Sequence, residues 1–218
     1  MPGSIKDKVA IVGMGCTQFG ELWNKGPTDL IVDAVNEALA DAGITLKDVQ
    51  AAWGGTLFSG TGGRTVSEAL RSQYIPITRV ENACGSGHEA VRGASYAVAA
   101  GVYDICLAIG YEKLKDEGVG GLPGMENRTN THYQSSMPGV FAMMATRYFH
   151  RYGLSPEEGK KMLGKISVKS HKNGALNPKA HLRREITLEQ VMGAPIIAWP
   201  LGLFDCCGVS DGGAAAII

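Results

Sequence analysis

The chain carries no net charge: 21 Lys and Arg offset 21 Asp and Glu across 218 residues. That balance excludes a globally basic nucleic-acid binder and a charged tail protein, so any electrostatic function must reside in local clusters. Long apolar runs are missing as well. Nowhere do eighteen apolar residues follow one another, so no membrane span is expected. Aromatics are scarce at 7%, which disfavours base stacking on nucleic acid. The five cysteines, Cys16, Cys84, Cys106, Cys206 and Cys207, show no CxxC spacing. An odd count without that spacing argues against a disulfide framework and against a zinc or other metal site. Lys6, Asp7 and Lys8 precede the apolar run Val9 to Cys16 with no small-residue cleavage pattern after it, so a cytoplasmic location is expected. What abounds is glycine, 30 residues, which implies tight turns and close backbone approaches.

Periodicity orders the first half. Val9 to Gly15 (VAIVGMG) is short, β-branched and bounded by glycine, as in a buried strand. Thr28 to Ala42 places Leu30, Ile31, Ala34, Val35, Ala38, Leu39 and Ala42 at helical spacing, with Gly43 as the stop. Ala51 to Gly55 is expected as a strand, Val66 to Gln73 as a short helix, and Ile77 to Glu81 as a third strand. A helix from about Ser86 to Ala100 is built almost entirely of small residues, which places it in the interior with Gly101 as its stop. Asp104 to Tyr111 is a buried strand. The alternation predicts an α/β domain in βαβαβαβ order, with a mixed or mostly parallel sheet and a buried central helix.

From Glu112 the texture changes. Glu112 to Gln134 has no periodicity and is expected as loop, followed by helices over Pro138 to Tyr152 and Ser155 to Asn173, a turn over Leu188 to Met192 and an extended Ile196 to Trp199. Gly213 to Ile218 returns to a buried strand. Residues 112–200 are therefore expected as a mainly helical insertion into a domain formed by residues 1–111 and 201–218.

Cys84 is the leading candidate for chemistry. It stands at a strand-to-helix corner, Glu81-Asn82-Ala83-Cys84-Gly85-Ser86-Gly87, where free N–H groups and the helix dipole favour a thiolate. The same N–H groups can hold a carbonyl oxygen that becomes negative during attack. Gly13-x-Gly15 invites a dinucleotide reading but lacks the third glycine, since Gln18 stands there, and no acidic residue follows at the required distance.

The run Asn82 to Gly87, the small-residue helix after it, Met143-Met144-Ala145, and Asp205 to Ala216 (DCCGVSDGGAAA) together resemble the thiolases. Asp205-Cys206-Cys207 and His171 with Asn177-Pro178 are most similar to the sterol-carrier or lipid-transfer branch. The resemblance implies a thiolase-like N-terminal domain whose Cys84 takes an acyl group from a coenzyme A thioester. It implies CoA and acyl-CoA as substrates, with no permanently bound cofactor. Cys207 falls where the family lines the pantetheine tunnel, simple packing being the alternative; His88, one turn after Cys84, either tunes the thiolate or touches the acyl group, or else makes a packing or dimer contact; Met144 either lines the acyl pocket or belongs to a core. Thiolases are nearly twice as long, and their C-terminal domain, which supplies the acid/base groups, is not matched in this chain. A C-terminal half is therefore expected, either as a partner chain or as sequence outside these 218 residues. So are a second copy joined through the sheet edge beside Ile77 to Asn82 and, in a thiolase-like retro-aldolase, an accessory subunit with a zinc ribbon and an OB-fold.

The zero net charge conceals an asymmetry. Between Arg147 and Arg184 lie ten of the 21 basic residues against Glu157 and Glu158 alone. In thiolases this region covers CoA, so Lys169, Lys172, Arg183 and Arg184 are the candidates for its phosphates, a solvated helix face being the alternative. Three functions are carried forward: a thiolase-type acyltransferase, a retro-aldolase acting on a CoA thioester, and a non-catalytic CoA-binding half.

Overall fold

A computed structural model describes residues 4–117 and 136–218. The stretch 118–134, expected as loop, and with it His132, lies outside the described residues. The chain divides into two compact units, residues 1–118 with 210–218, and residues 119–209. In order run β1 (Gly13–Cys16), α1 (Pro27–Ala42), β2 (Ala51–Gly55), α2 (Arg64–Leu70), β3 (Ile77–Val80), α3 (Ser86–Ala99) and β4 (Cys106–Glu112). The second unit holds α4 (Met137–Tyr152), α5 (Pro156–Leu176), α6 (Leu188–Met192), β5 (Ile196–Ala198) and β6 (Leu201–Gly202), and β7 (Gly212–Ile217) returns to the first.

The first unit is a five-stranded sheet in the order β1-β7-β4-β2-β3. β7 runs antiparallel to both neighbours, while β4, β2 and β3 are parallel, giving the mixed sheet expected. The two-residue side-chain period of β4 divides the core. Leu107, Ile109 and Tyr111 join the α1 residues Ile31, Ala34, Val35 and Ala38 on one face. Cys106 and Ala108 meet Ala90 and Ala94 of α3 on the other. Burying a Leu, Ile or Val side chain of this kind is worth about 1.5–3 kcal/mol, and the apolar stripe of α1 from Leu30 to Leu39 is buried throughout. Gly43, at φ +68°, ends that helix.

Gly13 and Gly15 are packing devices. A Cβ on either would lie 2.3 Å from a carbonyl oxygen of α1, that of Ala38 or Ala34. α1 also carries an acidic residue every fourth position, Asp29, Asp33, Glu37 and Asp41. Two of these close the outer edge of β1: the Cys16 N–H donates to Glu37 Oε2 at 2.9 Å and the Met14 N–H to Asp41 Oδ2 at 2.8 Å. An edge strand is thereby given side-chain acceptors in place of a neighbouring strand.

Three expectations are corrected here. β1 begins at Gly13 and not at Val9, and Ile11 and Val12, expected to be buried, are exposed. Glu112, expected in loop, closes β4, and a single 3₁₀ turn follows over Lys115–Glu117. α3, expected in the interior, is covered on one face: Ser86, Ala90 and Ala94 are buried, whereas His88, Arg92 and Tyr96 on the opposite side are exposed. Its small side chains let it lie close on the sheet, and no described residue of this unit forms a second covering layer.

Polar groups fasten the strand ends. Glu112 accepts hydrogen bonds from the Thr56 and Ser59 hydroxyls and from the N–H groups of Leu57, Phe58 and Ser59, fixing the turn after β2. The Lys113 ammonium donates to Asp211 at 3.0 Å and to Asp116 at 2.7 Å, and the side chains of Lys113 and Asp211 are essentially unexposed. Burial alone would raise the Asp211 carboxyl, but donation from the Lys115 N–H, the Lys113 ammonium and the Leu22 N–H outweighs it and holds the group below the usual carboxylate range.

In the second unit, Ser136 caps α4 and Ser155 with Glu158 forms a capping box on α5. α5 runs to Leu176, three residues beyond its expected end. Gly159 admits the Phe149 ring and Gly164 admits Leu188 and Val191, so glycines on α5 seat the neighbouring helices. Lys160 and Ser167, both buried, donate to Asp205, which also accepts the Gly202 N–H. Lys160 is therefore turned inward, away from the basic surface to which its sequence position assigned it.

Candidate active site

Between β3 and α3 the chain reverses through a tight turn. Ala83 takes φ +46°, a left-handed conformation uncommon outside glycine. The Gly85 N–H donates to Asn82 O at 2.8 Å and the Ser86 N–H to Ala83 O at 3.2 Å, so the backbone folds back on itself and leaves Cys84 exposed at the crest. The first helical bond runs from the Glu89 N–H to Gly85 O. The N–H groups of Gly87 and His88 have no backbone acceptor among the described residues, which makes this helix start a source of positive potential beside the thiol.

Glycines bring the start of α3 down onto the sheet. A Cβ on Gly55 would lie 2.3 Å from Ser86 O, and one on Gly110 would lie 3.1 Å from the Gly87 Cα. Beside the turn opens a groove of about 810 Å³ lined by Cys84, Gly87, His88 and Val91 from the α3 side and by Met14, Cys16, Ala214 and Ala216 from the sheet. Its walls are almost wholly apolar, with Glu37 at the margin. Cys84 and His88 thus share one groove, as their spacing of four suggested.

The other cysteines differ in setting. Burial pushes the Cys106 thiol up to about 11, so it stays protonated and inert at neutral pH. Cys206 is also raised, first by burial and then by the charges of Asp205 and Cys207, against Lys160. Cys207 is exposed in the second unit, next to the turn held by Asp205.

Met144 is exposed on α4. Lys169 and Lys172 stand three apart on α5, both exposed. The irregular segment bearing Arg183 and Arg184, also exposed, runs beside the end of α5: His171 Nδ1 lies 3.0 Å from Arg184 O, and a Cβ on Gly174 would meet Leu182 O at 2.7 Å. The four basic residues are therefore on adjoining segments of one unit. Sequence reasoning did not foresee the close approach at Gly55 or the clasp at Glu112. The paired Gly54-Gly55 at a strand end was the available signal for the first; a lone glutamate gave none for the second. No grouping of three or more metal-type ligands occurs among the described residues, and none of their helices is long and apolar enough to cross a membrane.

Comparison with known proteins places this architecture. The family model for "Thiolase, N-terminal domain" matches residues 9–198. Acetyl-CoA acetyltransferase of Methanothermobacter thermautotrophicus is 36% identical over 220 residues, covering 96% of this chain and 56% of that protein. Sterol carrier protein 2 of Bos taurus is 30% identical over 230 residues, covering 98% of this chain and 42% of that protein. Among solved structures, the Ltp2-ChsH2(DUF35) aldolase superposes with a TM-score of 0.77 at 29% identity, covering 95% of this chain and 54% of that one. The chain spans about half the length of the curated relatives it matches. By the family match and by these identities, it belongs to the thiolase family, of which it carries the N-terminal domain.

Proposed function

We propose that this chain is the nucleophile-bearing half of a thiolase-type acyl-CoA C-acyltransferase. The observation that carries the reading is the exposed Cys84 on a strained turn at the start of α3, beside an apolar groove. In thiolysis the Cys84 thiolate attacks the β-keto carbon of a β-ketoacyl-CoA. A carbon–sulfur bond forms, the bond between the α and β carbons breaks, and the α carbon leaves with the electron pair and takes a proton, releasing acetyl-CoA. The thiolate of a second CoA then attacks the acyl-Cys84 thioester, regenerating Cys84. The chain's own contribution is the nucleophile, the N–H groups that favour negative charge beside it, and an apolar groove. The proton transfers fall to groups of a C-terminal half. In this reading His88, Met144 and Cys207 contact the acyl or pantetheine portion, and Lys169, Lys172, Arg183 and Arg184 meet the phosphates of CoA.

A second reading is supported by the aldolase among the structural neighbours. There the same scaffold, with an accessory zinc-ribbon/OB-fold subunit, cleaves a β-hydroxyacyl-CoA by retro-aldol chemistry, and Cys84 is not acylated. The protein assembled with its C-terminal half and incubated with a β-ketoacyl-CoA is expected to show an acyl adduct on the Cys84 peptide by mass spectrometry. Turnover without an adduct, surviving Cys84→Ala, would overturn the acyltransferase reading, and ketone release from a β-hydroxyacyl-CoA would put the lyase in its place.

A further inference from the structure

We propose that Ser86 is the positioning residue of the nucleophile turn; the inference rests on the reading of Cys84 as the nucleophile. The Ser86 hydroxyl spans the turn from inside. It accepts the Asn82 N–H at 2.9 Å and donates to Ala83 O at 2.7 Å. One side chain thus ties together the residue that enters the turn and the residue in the left-handed conformation, with Cys84 between them and the hydroxyl.

The environment of Ser86 leaves it little freedom. The residue is 5% exposed, and its carbonyl oxygen abuts the Cα of Gly55, where even a methyl group would collide. Asn82, Ala83 and Cys84, by contrast, are exposed. The turn is an exposed crest pinned from below by a buried hydroxyl at the helix start. Two further ties do not involve the hydroxyl: the Asn82 side-chain amide donates to Glu89 at 3.3 Å, with Glu89 paired to Arg92, and the Ala83 N–H donates to Glu81 Oε1 at 2.5 Å. Neither reaches the Ala83 carbonyl.

The two bonds made by the hydroxyl have different replacements. Because Asn82 is exposed, water can take over its N–H, so folding survives the loss of Ser86 Oγ. Ala83 O would keep only the longer bond from the Ser86 N–H, at 3.2 Å. The left-handed residue then relaxes toward an ordinary conformation and carries the Cys84 thiol with it. The expected signature is a loss of chemistry at retained fold and retained substrate binding.

The test uses Ser86→Ala and Ser86→Thr in the protein assembled with its C-terminal half. Ser86→Ala is expected to lower kcat by about 10- to 100-fold, the range that a displacement of a reacting atom by less than about 1 Å produces, with KM for the CoA thioester changed by less than about twofold. Ser86→Thr, which keeps both hydrogen-bonding roles, is expected to restore most of kcat. Alkylation of Cys84 by iodoacetamide, followed by mass spectrometry of its peptide, should slow in Ser86→Ala and recover in Ser86→Thr. An unchanged kcat and alkylation rate in Ser86→Ala overturns the proposal. So does a loss confined to thermal stability, with kcat intact in the folded fraction. Should Ser86→Thr destabilise the buried site, the alkylation rate of Ser86→Ala alone decides. Since alkylation needs no acyl transfer, failure of the acyltransferase reading and failure of the positioning role are separable.

Discussion

Gly55→Ala is expected to lower the turnover of the assembled enzyme by about 100-fold or more and to destabilise the fold by about 1–3 kcal/mol. The new methyl would stand 2.3 Å from Ser86 O, 2.6 Å from Ser86 C and 3.0 Å from Gly87 N. All three are backbone atoms, so no side-chain rotation relieves the contact. Either β2 bows away from α3, opening the core around Ala90 and Ala94, or the start of α3 lifts and moves the thiol of Cys84. Gly62→Ala is the control, because a Cβ there meets nothing within 4 Å. Urea denaturation and steady-state turnover of both variants check the prediction. A Gly55→Ala enzyme with parental stability and turnover would show that the helix start can retreat freely and that the close approach is incidental.

Lys113→Met is expected to cost about 3–5 kcal/mol of stability, because it strands the Asp211 carboxylate in a site with no exposure. The pH dependence follows from the two shifts. The folded Asp211 carboxyl lies below its ordinary value, so its contribution is present above the unfolded carboxylate pKa and is lost as the pH falls through the folded one. For Lys113, burial lowers the ammonium pKa, but the hydrogen bonds to Asp116 and Asp211 overcome it and raise the group. Its contribution is present below the unfolded lysine pKa and fades as the pH rises through the folded one. The stability gap between wild type and Lys113→Met is therefore widest across the neutral range and narrows at both extremes. Trp23, whose ring centre is 5.5 Å from the Lys113 nitrogen, is a fluorescence probe at the site. Equal urea midpoints for the two proteins at pH 7 would show that the pair contributes nothing net.

Elements with a strong local period were legible in the sequence. The stripe of α1 and its stop at Gly43, the short strands around Ala51 and Ile77, and the helices of the second unit all follow from spacing, caps and glycine stops within a few residues of one another. Cys84 was legible because its neighbours, two glycines and a helix start, are adjacent in sequence. What escaped joins distant positions. Lys113 finds Asp211 across 98 residues, Glu112 gathers donors more than 50 residues earlier, and Gly55 meets Ser86. A single sequence carries no record of such pairings, since each residue alone is an ordinary polar or small one. The small residues of α3 announced close packing but not on how many sides, which is why the helix was placed in the interior and is found half covered. Lys160 was counted with the basic surface for the same reason: its partner, Asp205, is 45 residues away.

The carboxylates of Glu37 and Asp41 on the rim of β1 bear on how copies of such a sheet can add to one another. A sheet with two unoccupied edges can recruit chain after chain, each newcomer offering the next a fresh rim, and the product is a filament. Here one rim already has its N–H groups answered from within, while β3 forms the other. Were a copy to add through β3, growth would end at the pair, because Glu37 and Asp41 already occupy N–H groups on the opposite rim and would act as terminators of the chain of additions.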